Sequence, residues 1–451
     1  MIVQVHKSDL DPSKLVFTDE QAAHFSKYVK STRIRAARNI SGYSLPAGSS
    51  KEDRAGVESV LKQAFASLPP ELAGTYYPLG GLTPEQENTL REGGFLFQEP
   101  GPFQLLGAAG AGRDWPDNRG IFHNDSRTVL SWCNEEDHCR IISMEDGGDI
   151  KGVFSRFCQL SHAIKDAAES NGKALMYSDQ LGFLGTCPSN LGTGLRGSVM
   201  IHLPNLNKDV HALEEICASL DLQPRGSAGE HSEAVGAMWD ISNKQRLGFT
   251  EVELVQKLID GVTKLLAKEE ELAGAAAPAA APAAAPEAAP PAAAAPSGGF
   301  VLPKIDSDGP FDQWLASQLA ASPEDPKNTE KFKYITFTEL PPFTDGHKSL
   351  MRKTLTPELW EKLKDVKSSK GYSLSNAIQP GVLRPHLGVG ITAGDEECFE
   401  LFKEIIYPVV KGWHKFDPET QVCHSSSFLT ISLCAYCMPI HDALLLLYSL
   451  T

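Results

Sequence analysis

Apolar positions Val57, Val60, Leu61, Ala64 and Leu68 recur at three- and four-residue spacing, and Pro69-Pro70 ends the run. That spacing predicts an amphipathic helix with one buried stripe. Residues 128–133 (Thr-Val-Leu-Ser-Trp-Cys) are rich in β-formers and read as a strand, with residues 140–144 as its neighbour. The polar stretch 134–138 between them is expected to be a turn at a sheet edge, beside a capping Asp137. Residues 199–203 form another strand pattern, closed by Pro204-Asn205, and 251–267 repeats Leu254, Val255, Leu258, Ile259, Val262, Leu265 and Leu266 as a closing helix. Strands outnumber βαβ crossovers, so the expected class is α+β, an antiparallel β-sheet flanked by helices.

One boundary interrupts the pattern. Residues 273–299 are Ala, Pro, Gly and Ser with a single Glu287. Proline at this density stops a continuous helix, and alanine has too little apolar area to make a core. The stretch reads as a semi-extended spacer. Beyond it, Thr356 caps a helix with Pro357 in its first turn, and 394–399 opens another with Phe399, Phe402, Ile405 and Ile406 on one face. This second part reads as a small all-α domain. The expected divisions are 1–27 connector, 28–272 sheet domain, 273–299 linker, 300–344 connecting segment, 345–424 helical domain and 425–451 unmatched tail.

Composition narrows the function. The chain has 451 residues, 41% hydrophobic and 22% charged, as expected of a globular protein. A net charge of -15 argues against general nucleic-acid binding, which needs a basic footprint. Nine cysteines are scattered, and the Cys434/Cys437 pair has no second pair or histidine pair, so no metal site is expected. Reduced thiols in the cytoplasm fit this pattern. The N-terminus lacks a signal or transit pattern, and the apolar stretch 428–450 is broken by His441 and Asp442, so no membrane segment is expected.

The chemistry lies in recurring arginines: Arg33 and Arg35 in Ser31-Thr32-Arg33-Ile34-Arg35, then Arg140, Arg196 and Arg225. Several guanidinium forks suit a polyphosphate. Glu136, Glu230 and Cys187 suit a cation. No Gly-Lys-Ser/Thr ends a glycine-rich loop, so the phosphates must be held by side chains. Six segments stand in order: 31–35, 74–79, 119–125, 134–138, 187–194 and 225–231. In that order they resemble the catalytic C-terminal domain of the phosphagen (ATP:guanidino) kinases, the arginine and creatine kinase family. Residues 345–424 resemble the family's N-terminal helical domain through Gly388-Val389-Gly390-Ile391 and Gly394-Asp395-Glu396-Glu397.

The resemblance implies an ATP:guanidino phosphotransferase, arginine kinase-like, using ATP/ADP with Mg2+. It implies that Arg33, Arg35, Arg140, Arg196 and Arg225 clamp the phosphates and that His123 lies on the nucleotide side. Ser31, Thr32, Ile34, Gly197, Ser198, Val199, Met200, Gly226, Ser227, Ala228 and Gly229 join them as nucleotide-binding positions. It implies Glu136, Glu230 and Cys187 as the catalytic groups that hold the guanidinium, with Cys187 a thiolate, and Gly388, Val389 and Gly390 as a substrate loop. Thr392 stands where the arginine-specific branch usually has tyrosine, which leaves taurocyamine or another guanidino compound open. The order of the parts is reversed relative to the family, as in a piece of a tandem kinase: the back of one module, a linker, the front of the next. Pairing of the two units in cis or in trans is open, and so is an inactive module that binds nucleotide only.

Overall fold

The computed structural model describes residues 6–101, 104–226, 235–275 and 300–420. In chain order the strands are β1 (Val29–Arg38), β2 (Gly74–Pro78), β3 (Gly120–Asn124), β4 (Val129–Cys133), β5 (Cys139–Asp146), β6 (Tyr177–Ser178), β7 (Gly182–Phe183), β8 (Arg196–His202), β9 (Leu222–Gly226) and β10 (Met238–Asn243). Eight make one sheet in the order β2-β3-β4-β5-β1-β8-β10-β9, and β6 and β7 pair separately. Every pairing is antiparallel. The α+β class read from the sequence is the class observed.

Strand alternation divides the sheet into two unlike faces. Ile34 and Ala36 of β1 share a face with Ile141, Val199 and Ile241, all buried in one apolar core. Three helices cover it. Lys51–Ala66 starts at a capping box between Ser50 and Asp53, Ile150–Ser170 starts at Asp149, and Glu251–Ala275 follows Thr250. The apolar stripe at Val57, Val60, Leu61 and Ala64 is the buried stripe of the first helix. An ion pair fastens the third: Arg38 Nη2 lies 2.9 Å from Glu251 Oε1, and Ser8 Oγ and the Asp9 amide donate to the same carboxylate. Residues 6–27 therefore do more than connect; Leu15 and Phe25 lie inside the sheet's core.

The expected turn at a sheet edge lies elsewhere. Residues 134–138 join β4 to β5, which are interior strands, and Asn134, Asp137 and His138 are buried. Asp137 caps no helix. Its Oδ1 accepts from Asn39 Nδ2 and from the Thr186 amide, both at 2.9 Å, linking this turn to the segment before Cys187. Neighbouring loops, not exposure, supply partners to these polar groups, although Asn134 Oδ1 and Asp137 Oδ2 stay buried without one.

The second unit is helical, with helices Pro310–Ala321, Leu350–Thr354, Pro357–Leu363, Leu374–Leu383, Cys398–Leu401 and Lys403–His414. Thr356 caps the third as expected. The helix expected to open at Gly394 begins at Cys398, because Asp395 Oδ1 accepts the Cys398 amide and residues 394–397 turn ahead of it. Residues 300–344 belong to this body: Phe311, Leu315, Ile335 and Phe337 share its apolar cluster. That cluster continues into the sheet unit through Leu45, Ala47, Leu181, Leu184, Cys187 and Leu247. Polar contacts follow the same seam. Gln379 Nε2 donates to Ala108 O at 2.9 Å, the Ala393 amide to Thr186 O at 2.9 Å, and Tyr407 Oη to Gln180 Oε1 at 2.8 Å. Arg113 and the Tyr334 hydroxyl meet at Ala47 O. The helix Glu251–Ala275 runs into the start of the spacer, whose remainder, like the tail from 421, lies outside the described residues. No described helix is long and apolar enough to cross a membrane.

Candidate active site

Opposite residues of paired strands point to the same face. Arg35 of β1 stands between Ile142 and Arg196, and Arg33 between Met144 and Ser198. Ser31 faces Met200, which faces Asp240, which faces Arg225. Arg140 lies opposite Ala37. Ser31, Arg33, Arg35, Arg140, Arg196, Ser198, Met200 and Arg225 are thereby gathered on the face away from the main core. Thr32, Ile34, Gly197 and Val199 alternate onto the other face; Ile34 and Val199 are core residues, and Thr32 Oγ1 donates to Gly147 O. Only their backbone could serve a ligand, since the pleat turns their side chains away.

The arginines are under-compensated. Arg196 pairs with Asp240 at 2.7 Å and Arg140 with Glu136 at 2.5 Å. Among the described residues the Arg33 and Arg35 side chains have no hydrogen-bond or ion-pair partner, and Arg33 Nε and Arg196 Nε are buried without an acceptor. Burial, then Arg196 and Arg140, lower the pKa of Arg33; burial, then Arg33, Arg140, Arg196 and Arg246, lower that of Arg35 strongly. Arg140 goes the other way: burial opposes its charge, but Glu135, Glu136 and Asp137 outweigh it. Cations crowded together with unused donors suit a ligand with several negative oxygens.

His123 lies in the same row of the sheet through Leu130 and Ile142 to Arg35. Its ring stacks on Tyr77 at 5.1 Å and sits 5.6 Å from Phe95, beside an apolar cluster of Leu90, Phe95, Phe97, Ile121, Leu130 and Ile142. This makes an apolar wall at one end of the arginine face.

Glu136 acts electrostatically on the Cys187 thiol. Burial first, then Glu136, push the Cys187 thiol up to about 12, while Ser189 Oγ at 3.1 Å opposes the rise. The thiolate implied by the resemblance is thus disfavoured by the protein's own burial and needs a nearby cation. Burial and then Glu136 raise Asp137 to about 6, and burial raises Glu135. Glu230 and residues 227–229 lie outside the described residues; Gly226 ends β9.

In the helical unit, Gly388 O and Val389 O accept the amides of Leu350 and Met351, and Val389 is buried among helical side chains. Gly390, at φ 79°, abuts Ser349, so a side chain would be strained and blocked there. Thr392 is buried, its hydroxyl 3.2 Å from Tyr372 Oη. The loop meets the sheet unit where the Ala393 amide reaches Thr186 O, one residue before Cys187.

Three participants escaped the sequence reading. Asp240 pairs Arg196 from a strand with no motif character. Arg246 sits in the loop after β10, with Nη1 on Ser189 O and Asn190 Oδ1. His414 Nε2 bonds Pro188 O at 2.8 Å from the far end of the helical unit.

Comparison with known proteins decides the lineage. The family model described as ATP:guanido phosphotransferase, C-terminal catalytic domain, matches residues 56–272, and that for the N-terminal domain matches 345–411. Chicken (Gallus gallus) creatine kinase M-type is 47% identical over 267 residues, 59% of this chain and 69% of that protein. The chain belongs to the ATP:guanido phosphotransferase family. An arginine kinase of Anthopleura japonica is 37% identical over 412 residues, 91% of this chain but 48% of that protein. The substrate-free duplicated taurocyamine kinase of Schistosoma mansoni superposes with a TM-score of 0.54 at 31% identity, over 92% of this chain and 51% of that one. This family member thus spans about half the length of either long relative, with the catalytic-domain match ahead of the N-terminal-domain match.

Proposed function

We propose that the chain is an ATP:guanidino phosphotransferase that moves the terminal phosphoryl of ATP reversibly to a guanidino substrate, with arginine as the first candidate. The observation that carries this is the under-compensated arginine face lying directly beside Glu136 and Cys187, with Arg140 paired to Glu136 at the border. An anion site and a cation site so joined bring a phosphoryl group to a guanidinium nitrogen. Arg33, Arg35, Arg196 and Arg225 would hold the phosphates, and His123 with its apolar neighbours would flank the nucleotide. Positioning and charge stabilisation are the main requirements of such a transfer. Glu136, together with Glu230, would orient the planar cation and take the proton as nitrogen attacks phosphorus and the bond to the ADP oxygen breaks. Cys187 would face the same cation. Magnesium would enter with the nucleotide substrate.

The helical unit would complete the pocket, and its seam with the sheet unit supports pairing in cis. A cytoplasmic setting belongs to the same reading, supported by the six free thiols buried among the described residues. A second reading changes only the substrate. Thr392 spends its hydroxyl on Tyr372 inside the helical unit instead of offering a ring at the loop, which favours a guanidino compound other than arginine, taurocyamine included. A coupled assay of ADP release with MgATP and a panel of guanidino compounds tests both. Turnover dependent on arginine supports the first reading, turnover on another member the second, and folded protein inert to the whole panel defeats both.

A further inference from the structure

We propose that Arg246 is a positioning residue for the reactive cysteine: it clamps the 187–193 turn and supplies the fixed cation that brings Cys187 towards its thiolate. The proposal rests on the guanidino kinase reading for its purpose, though not for its test. Arg246 holds the turn at both ends. Its Nη1 donates to Ser189 O at 2.8 Å and to Asn190 Oδ1 at 2.7 Å, while its own carbonyl accepts the Thr193 amide and Thr193 Oγ1, both at 3.0 Å. Gly192, at φ 86°, lies so close to Arg246 O that a Cβ there would fall 2.3 Å from it. The turn is moulded onto this one residue.

The charges around Cys187 require such a group. Glu136 and Asp137 act on the thiol from the β4–β5 turn, and both oppose ionisation. Ser189 gives a hydrogen bond but no charge. His414 packs on Pro188 from the helical unit, but burial and then Arg246 hold it neutral, down to about 4. Arg246 is lowered to about 10 by burial and then by Arg196 and Arg225, while Cys187 and Glu136 favour its charge. Arg196 has Asp240 as its carboxylate partner, whereas among the described residues Arg246 bonds only neutral oxygens on the cysteine's turn. A cation fixed next to a cysteine favours thiolate over thiol.

The test reads the thiol directly. Alkylation of Cys187 by iodoacetamide, located by mass spectrometry, is followed against pH in the full-length protein without substrate, for the parent, Arg246→Gln and Arg246→Lys. Expected is an apparent pKa raised by about one unit in Arg246→Gln, a roughly tenfold slower reaction at neutral pH. Arg246→Lys, which keeps the charge but loses the fork, should stay within about a third of a unit. A folded Arg246→Gln with the parent's pH profile overturns the proposal. If that variant does not fold, a folded Arg246→Lys shifted by a full unit overturns it instead. Since alkylation needs no turnover, failure of the guanidino kinase reading would show in the activity panel and leave this titration intact.

Discussion

Arg35 should be costly to the free fold and necessary to the ligand. It stands directly opposite Arg196 across β1 and β8, and no described carboxylate pairs with it. Opposite residues have Cβ atoms about 5 Å apart, which places two guanidinium groups at roughly 7 Å. At an effective dielectric near 20 that separation costs roughly 2 kcal/mol. Arg33, Arg140 and Arg246 add to the repulsion. Replacing Arg35 with methionine keeps most of the packing and removes the repulsion. After screening by salt, a gain of about 1–2 kcal/mol is expected, or roughly 2–6 °C in Tm. Loss of charged hydrogen bonds to phosphate should cost about 1.5–3 kcal/mol of binding, weakening MgADP by roughly 10- to 150-fold. Thermal melts without and with MgADP, paired with calorimetry, read both signs on one variant. An Arg35→Met protein that melts lower than the parent when ligand-free, or binds MgADP within twofold of it, refutes the reasoning.

Glu136→Gln and Cys187→Ala should each lower kcat, by about 100-fold for Glu136→Gln, while changing MgADP affinity less than about threefold, because both face the cation site; steady-state kinetics with calorimetry checks this, and unchanged turnover in Glu136→Gln removes it from its role. His138 is held down to about 4 by burial, with Nδ1 accepting the Ile40 amide and Nε2 donating to Ser44 O. Its folded pKa is depressed from the ordinary 6.5, so its contribution is full above about pH 6.5 and is lost as pH falls towards 4. From pH 7 to 5 that loss is about 2 kcal/mol, and His138→Gln, which can make the same two bonds, should flatten the denaturation-against-pH curve by that amount; an equal slope in both proteins contradicts it. If the helical unit completes the pocket in cis, specific activity should be constant from micromolar to nanomolar enzyme, and a fall on dilution would assign the pairing to a second chain.

Local patterns carried much of the fold and part of the site. The stripe at Val57, Val60, Leu61 and Ala64, the β-former runs and the Thr356 cap are short-range signals, and their elements formed where expected, although the first helix ends at Ala66, short of Leu68. The arginines were legible because period-two alternation puts Arg33 and Arg35 on one face whatever their neighbours are. The same alternation removed Ile34 and Val199 from the ligand face, which motif matching ignores. The 134–138 turn lies inside the sheet and not at its edge, because polarity alone does not imply exposure: Asn39 and Thr186, far off in sequence, donate to Asp137 in a buried site. Arg246 and His414 reach the 187–193 turn from 53 or more residues away, and no local pattern encodes such contacts.

The arginine face is tested most directly by titrating the full-length protein with MgADP and with AMP in a calorimeter. A polyphosphate site of under-compensated arginines should bind MgADP once per chain, lose affinity steeply as salt rises, and bind AMP at least about tenfold more weakly, since the charged contacts lie beyond the first phosphate. Equal affinity for the two nucleotides, or no binding of MgADP by folded protein, would contradict it.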